Sequence, residues 1–172
     1  MAKRAARLQR RKTQRRMGEA SFAAIEQDVF LAAYCVRKLA EAKKLSDEVE
    51  SISLRASAFA PREQPVDLMN WFKLDRAYDL TSSVPAEVSL RDWYNQVIHS
   101  FVFVVDTERT GLAGFYVSSD RLKHKRLLYF AADEVIGALA RVADDDVVSV
   151  KMERDGSGAM QVVSKSNAIR GA

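Results

Sequence analysis

The sequence predicts an α+β fold in which an antiparallel sheet of five to six strands packs against a long N-terminal amphipathic helix and two or three further helices. Three observations support this prediction. Apolar residues recur at helical spacing from Phe22 to Leu39, and short apolar runs separated by turn signals follow from Phe101 onward. The composition, 48% hydrophobic and 29% charged, is that of a globular domain, and 172 residues suffice for one sizeable core.

The chain divides into a basic, flexible arm over residues 1–20, a single α+β domain over 21–165 and a flexible tail over 166–172. Beyond Met1, the large apolar residues of the arm are only Leu8 and Met17. Because the arm cannot bury a face and its like charges repel, we expect it to be disordered or only transiently helical when alone. Alternatively, Met17 is the real start of the protein.

The long helix begins near Ser21 and ends near Lys44 or Leu45. Its apolar residues recur at alternating steps of three and four positions, as on one face of an amphipathic helix: Phe22, Ile25, Val29, Ala32, Val36 and Leu39. The next segment, 51–60, fits a strand by its alternation, although Ser46 could cap a helix there. Its serine content and the stop at Pro61 favour the strand.

The middle of the chain reads as helix, loop and helix. The apolar spacing over Asp67 to Leu80 predicts a short helix, and residues 81–84 read as a loop that Pro85 ends. Ser89 is placed to cap a second helix that runs to about Ile98.

The C-terminal part reads as antiparallel sheet. Strands are predicted over 101–105, 112–117 and 127–130, followed by a helix over 132–143. A last hairpin pairs residues 147–152 with 160–163 around the turn that Asp155 to Gly158 form.

Positive charge is concentrated at the N-terminus. Residues 1–16 hold eight of the 27 basic residues and no acidic residue, so 19 basic residues face 23 acidic ones in the remainder. The net charge of +4 therefore combines a strongly basic arm with a mildly acidic body. An arm of this kind can neutralise several phosphates without reading sequence.

We therefore predict a non-enzymatic binding or regulatory protein that engages a polyanion, RNA or DNA or a ribonucleoprotein, through its arm and a second basic loop. The predicted contact residues are Lys3, Arg4, Arg7, Arg10, Arg11, Lys12, Arg15, Arg16, Arg121, Lys123, Lys125 and Arg126. Simpler explanations are a solvated terminus and a loop whose lysines protect a sheet edge from pairing. The polyanion hypothesis gains if the arm and the loop lie on the same side of the fold.

The alternative is a protein–protein interaction or self-association module in which the folded body carries the function. An exposed sheet edge or the apolar stripe from Phe22 to Leu39 would then be the contact surface. Among the aromatic residues, Phe101 and Phe103 are predicted to be core, and Tyr116 is predicted to face outward while Phe115 faces inward.

Catalytic and metal chemistry are weakly supported by the residues. His99 lacks a partner carboxylate at a meaningful spacing and fits a helix end. Two histidines and Cys35 are too few for a structural zinc site, and Asp144 to Asp146 read as a charged turn. Gly111 and Gly114 belong to one predicted hairpin and Gly156 and Gly158 to another, and neither pair precedes a helix as a phosphate-binding loop requires. We predict no cofactor and no metal. The residues favour a non-enzymatic protein, and an enzyme of unfamiliar type centred on His99 stays open as a third hypothesis.

The sequence also predicts a location. No apolar run approaches the roughly 18 residues of a membrane span, and the N-terminus lacks the apolar centre of a secretory signal. A single cysteine, Cys35, allows no internal disulfide and suits a reducing compartment. We expect a soluble cytoplasmic protein.

Overall fold

The computed structural model describes residues 1–167. Six helices lie in that part of the chain: α1 (Ala2–Arg11), α2 (Glu19–Glu41), α3 (Asp47–Glu50), α4 (Leu74–Ala77), α5 (Leu90–Ile98) and α6 (Ala132–Asp144). Its seven strands are β1 (Ser53–Pro61), β2 (Tyr78–Ser89), β3 (Ser100–Glu108), β4 (Gly111–Ser119), β5 (Leu127–Ala131), β6 (Ser149–Arg154) and β7 (Met160–Ser166).

Five of the strands form one antiparallel sheet in the order β2-β1-β5-β4-β3. The predicted α+β class with a five-stranded antiparallel sheet is therefore confirmed. The last hairpin, β6 with β7, is also present but forms a separate two-stranded sheet. Of the predicted C-terminal tail, Ser166 ends β7, and residues 168–172 lie outside the described part of the chain.

One face of the sheet carries the main core, against which α1, α2, α5 and α6 pack. The helix α2 turns its stripe inward, since Ile25, Val29, Ala32 and Val36 are all at most 1% exposed. This burial removes the stripe as a surface for self-association, because its own sheet and helices already cover it. The prediction of a helix-pairing interface there is wrong.

The other face of the sheet carries a smaller core. The segment between β1 and β2 folds back over it and contributes Val66, Leu74 and Ala77, which pack with Phe59 and Leu127. Further along the same face, the Tyr116 and Tyr129 rings contact each other in a tilted arrangement with their centroids 4.8 Å apart, and both remain half-buried.

The helix predicted over Asp67 to Leu80 is largely wrong. Only Leu74–Ala77 is helical, and the chain is already in β2 from Tyr78. Asp67 and Asn70 explain the difference, because their side chains bond to nearby backbone groups and hold turns: Asp67 accepts from the Met69 amide at 2.7 Å, and Asn70 accepts from the Asp67 amide at 2.9 Å.

The loop predicted to end at Pro85 is also wrong, because β2 runs through this residue to Ser89. Pro85 lies opposite Ser57 of β1. A proline has no backbone N–H to donate to a neighbouring strand, but β2 is an edge strand of the sheet and has a neighbour on one side only. The edge position makes Pro85 compatible with the strand.

The helix cap at Ser46 and the strand that follows it, which the sequence offered as alternatives, are both present. The Ser46 hydroxyl accepts from the Val49 amide at 3.3 Å and caps the short helix α3, after which β1 begins at Ser53. The predicted cap of the later helix is confirmed as well, since Ser89 accepts from the Asp92 amide at 3.0 Å at the start of α5.

Candidate functional site

The basic N-terminal segment forms helix α1, whereas the sequence predicted a disordered or transiently helical arm. Its small apolar side is enough to dock it, because Ala5 and Leu8 are 6% and 0% exposed and join the main core. The helix lies beside α6 and lines one shallow groove with it, and Lys12, just after the end of α1, pairs with Asp133 in the first turn of α6. The two helices are therefore antiparallel.

A buried carboxylate on α2 fixes α1 in place. The Asp28 side chain is 8% exposed and pairs with Arg4 at 2.9 Å and with Arg7, whose Nε donates to it at 2.7 Å. Burial raises the pKa of the Asp28 carboxyl, but the hydrogen bonds and charges of Arg7 and Arg4 outweigh it and hold that pKa below its ordinary value. Arg4 and Arg7, two of the predicted contact residues, are thus ion-paired with a carboxylate of the protein itself.

The C-terminal end of α1 is held by a close backbone approach. Gly111, the first residue of β4, has a φ of 138°, and a Cβ there would lie 2.6 Å from the Lys12 carbonyl oxygen. Only glycine allows this contact. Lys12 also pairs with Asp133, and Arg11 bonds to Gln14 and, at 3.4 Å, to the Ser21 hydroxyl.

The remaining cations of this segment face solvent. Lys3, Arg10, Arg15 and Arg16 are exposed, and within residues 1–167 no side-chain partner is found for them. Arg7 is 44% exposed despite its ion pair. The first acidic residue of the chain is Glu19, so no carboxylate within the segment neutralises these charges. We call the four unpaired cations, Lys3 and Arg10 on α1 and Arg15 and Arg16 just after it, the α1 cation surface.

The second basic cluster, between β4 and β5, lies at the other end of the sheet. The α1 helix ends at Gly111, the first residue of β4, while the loop leaves β4 after Ser119. Nine residues of strand span roughly 26 Å. The structure therefore does not bring the end of the arm and the loop together.

Within that loop, the Lys123 side chain contacts neighbouring residues of the protein. Its ammonium lies 3.5 Å from the centroid of the Phe101 ring and 2.7 Å from Asp120. The buried Tyr78 hydroxyl donates to the Lys123 carbonyl at 2.7 Å, and burial raises the pKa of Tyr78 to about 12. Three other loop cations, Arg121, Lys125 and Arg126, are exposed.

The loop connects two interior strands, β4 and β5, since β2 and β3 are the edges of the sheet. Its Lys123 side chain nevertheless lies against Phe101 of the edge strand β3. Protection of that edge by the loop lysines therefore stays a prediction.

The aromatic side chains mostly follow the predictions. Phe115 is 1% exposed in the main core while its neighbour Tyr116 points to the other face and stays half-buried, and Phe103 is buried as expected. Phe101 instead packs with the smaller core and is only partly buried. The pKa of Tyr129, which lies on this second face, is raised mainly by burial and further by the nearby Asp106 carboxylate.

The residues considered for catalysis or metal binding lie apart. His99 is an exposed residue at the end of α5, and its Nε2 is 3.5 Å from the Arg37 guanidinium. Asp145 accepts from the Ser46 amide at 2.7 Å and so joins α6 to α3. Among residues 1–167, no three His, Cys, Asp or Glu side chains are grouped as metal ligands would be.

Two features escaped the sequence analysis. Leu68, Met69 and Phe72 are 78%, 80% and 55% exposed, although the apolar spacing over Asp67 to Leu80 predicted a short helix there. A cleft between the end of α2 and the start of α5 gathers Arg37, Lys43 and Arg91. No local pattern signals this cleft, because its residues come from two helices that are far apart in sequence.

Comparison with known proteins gives no relative. No protein family, no curated protein and no solved structure matches the chain. In the described part of the chain, residues 1–167, no helix has both the length and the apolar character needed to cross a membrane.

Proposed function

We propose that this protein binds a polyanion, nucleic acid or a ribonucleoprotein, through the α1 cation surface. The observation that carries the proposal is a set of exposed cations on a segment whose position is fixed by the Arg4–Asp28–Arg7 pairs and by buried Leu8. A helix that is already docked loses less conformational entropy on binding than a disordered arm would.

The proposal gives nine of the twelve predicted contact residues one of two roles and assigns no phosphate contact to Arg121, Lys125 and Arg126. Four residues hold α1 and its C-terminal turn to the body, and Lys123 holds the distant loop; the four are Arg4, Arg7, Arg11 and Lys12. The α1 cation surface makes the phosphate contacts. Because these side chains offer charge without a base-reading groove, binding is independent of sequence and strongly dependent on salt.

Removal of residues 1–16 would be an ambiguous test, because it also removes Leu8 from the core and leaves buried Asp28 unpaired. Two triple variants of equal charge avoid this difficulty. One carries R10Q, R15Q and R16Q, and the other carries R121Q, K125Q and R126Q as the matched control. All six side chains are exposed.

The measurement is fluorescence anisotropy with short random RNA and DNA duplexes over a salt series. On B-form DNA we expect the first variant to lower the log–log salt slope by about three units and to weaken binding to all sequences alike, because three phosphate contacts are lost. The control variant should bind as the wild type does. Equal weakening in both variants, or no binding by the full chain at low salt, would overturn the proposal.

A second candidate function is protein–protein interaction through the folded body. It is favoured by the exposed apolar side chains of Leu68, Met69 and Phe72, since adjacent exposed apolar side chains often mark an interaction surface. A full chain that fails to bind either duplex at low salt would shift the assignment to this surface.

A further inference from the structure

A cleft of about 320 Å³ opens between the C-terminal end of α2 and the first turn of α5. Its apolar floor consists of Leu45, Leu90 and Tyr94, which are 1%, 1% and 8% exposed. Charged side chains make up half of the ten lining residues: Arg37, Glu41, Lys43, Glu50 and Arg91. A volume of this order is typical of small-molecule sites.

Lys43 occupies a backbone position at this cleft where glycine is the usual residue. It follows the end of α2 with a φ of 57°, the one positive φ outside glycine among residues 1–167. The amide of Lys43 donates to the Ala40 carbonyl at 3.0 Å and that of Lys44 to the Leu39 carbonyl at 2.8 Å, which is the Schellman motif. A lysine is present here although glycine would adopt this conformation without strain.

The charges around the cleft leave an excess of positive charge. Glu41 is bonded by Lys38, which lies outside the cleft lining, as well as by Arg37. Glu50 is paired at 2.6 Å with Lys165, whose side chain is 3% exposed. Both carboxylates are therefore neutralised, in whole or in part, from outside.

The cations of the cleft are less fully paired. Within residues 1–167, no carboxylate partner is found for Lys43 or Arg91. The backbone adds no net positive charge, because the Schellman bonds satisfy only the Leu39 and Ala40 carbonyls at the negative end of the α2 dipole. The first turn of the nine-residue helix α5 presents the positive end of its dipole but also carries the Asp92 carboxylate.

We propose that this cleft binds a small amphipathic anion, an apolar group joined to a phosphate or carboxylate. The anionic group lies between Lys43, Arg91 and Arg37, and the apolar group rests on Leu45, Leu90 and Tyr94. The site is separate from the α1 cation surface, since Asp28 and Glu41 are 13 residues apart on α2, about 20 Å along the helix. The proposal does not depend on nucleic-acid binding.

The test is a titration of the full chain with four probes, followed by amide chemical shifts in ¹H–¹⁵N spectra. Phenyl phosphate and benzoate carry both parts of the proposed ligand and distinguish phosphate from carboxylate. Inorganic phosphate carries only the anion, and benzyl alcohol carries only the ring. We expect at least one of the first two to shift the amides of Arg91, Tyr94 and Asn95 and to bind about tenfold more tightly than either single-part probe.

Lys43→Gly separates binding from stability, and Lys44→Gln is its control because it removes the same charge from the neighbouring residue, which is not among the cleft-lining side chains. We expect K43G to weaken probe binding about tenfold, as the loss of one charge-assisted contact would. The same variant should raise Tm by about 2–4 °C, since glycine relieves the positive φ. K44Q should leave the affinity unchanged.

Three results would overturn the proposal: no cleft amide shifts with phenyl phosphate or benzoate up to about 10 mM, where a site of even millimolar affinity would be mostly filled; K43G binds as tightly as the wild type; or K44Q weakens binding as much as K43G does. The last result would mean that diffuse surface charge attracts the probes.

Discussion

At the scale of single residues, Asp28 has the largest influence on the N-terminal segment. It is a buried carboxylate in the middle of α2, and its two guanidinium partners lie 24 and 21 residues earlier in the chain. A buried charge requires such partners because desolvation is otherwise unfavourable by several kcal/mol. Asp28 therefore converts two of the eight N-terminal cations from free charges into attachments.

Asp28→Asn should lower the free energy of unfolding at pH 7 by about 1–3 kcal/mol, because it removes charge-assisted hydrogen bonds to Arg4 and Arg7. Since the pKa of Asp28 is lowered in the folded state, its stabilisation is complete above the unfolded pKa near 4 and disappears as the pH falls through the lower folded pKa. Urea denaturation of the wild type and of D28N between about pH 2 and 7 measures how the free energy of unfolding of each depends on pH.

The control for that experiment is Glu26→Gln, which alters an exposed carboxylate on the same helix and should have little effect at any pH. If the difference in free energy of unfolding between the wild type and D28N stays constant down to the lowest pH, the loss of stability comes from packing and not from the ion pairs.

At the scale of elements, α1 shows that a helix with a narrow apolar side can still belong to the core. Its contact with the body rests on Ala5 and Leu8, the Asp28 pairs and the backbone approach at Gly111. Ten residues are too few for a stable isolated helix in water, so docking is what makes α1 helical.

Leu8→Ala should lower the free energy of unfolding by about 2–5 kcal/mol, because Leu8 is fully buried and its removal leaves a cavity between α1 and the body. Hydrogen exchange should show the amides of α1 losing protection before those of the sheet. Arg10→Ala, an exposed position on the same helix, serves as the control and should change stability by less than about 0.5 kcal/mol. If L8A is as stable as R10A, then α1 does not dock in solution as described.

At the scale of the whole molecule, the structure separates a packed body from an attached hairpin. The β6–β7 sheet exposes apolar side chains such as Met152 and Met160 and meets the body mainly at α3. There the Lys165 amide donates to Asp47 at 2.9 Å and its ammonium pairs with Glu50. An isolated two-stranded hairpin is only marginally stable, so this attachment matters more to the hairpin than to the body.

A chain that ends at Asp146 should therefore retain cooperative unfolding and lose only a few degrees of Tm, less than the single substitution Leu8→Ala. The physical reason is that the deletion removes one ion-pair cluster, whereas L8A removes a core contact. Thermal unfolding followed by circular dichroism compares the two. A deletion variant that fails to fold, or melts below L8A, would show that the hairpin is part of the body.

The length of strand β4 explains why the two basic clusters do not form one surface. Strand β4 carries Gly111, against which α1 ends, at one end and the start of the basic loop at the other. The α1 cation surface and the loop are therefore separate in the structure. Nothing in the charges themselves could have indicated the distance between them.

The sequence alone determined the elements whose patterns are local. The periodicity of α2, the serine cap of α5, the hairpins β3–β4 and β6–β7 and the helix α6 follow from burial, capping and turn chemistry within a few residues. The local pattern was weak over 67–85. There, side-chain bonds to the backbone prevented a long helix, and the edge position of β2 allowed Pro85 to lie within a strand.

Only the tertiary structure decided which charges are free and which are fixed. Asp28 reaches back more than 20 residues to α1, Lys12 pairs with Asp133 from 121 residues away, and the cleft beside Lys43 joins the end of one helix to the start of another. Partners this distant are brought together by packing around the shared core. Because ion pairing depends on distance in space and not along the chain, this assignment required the folded protein.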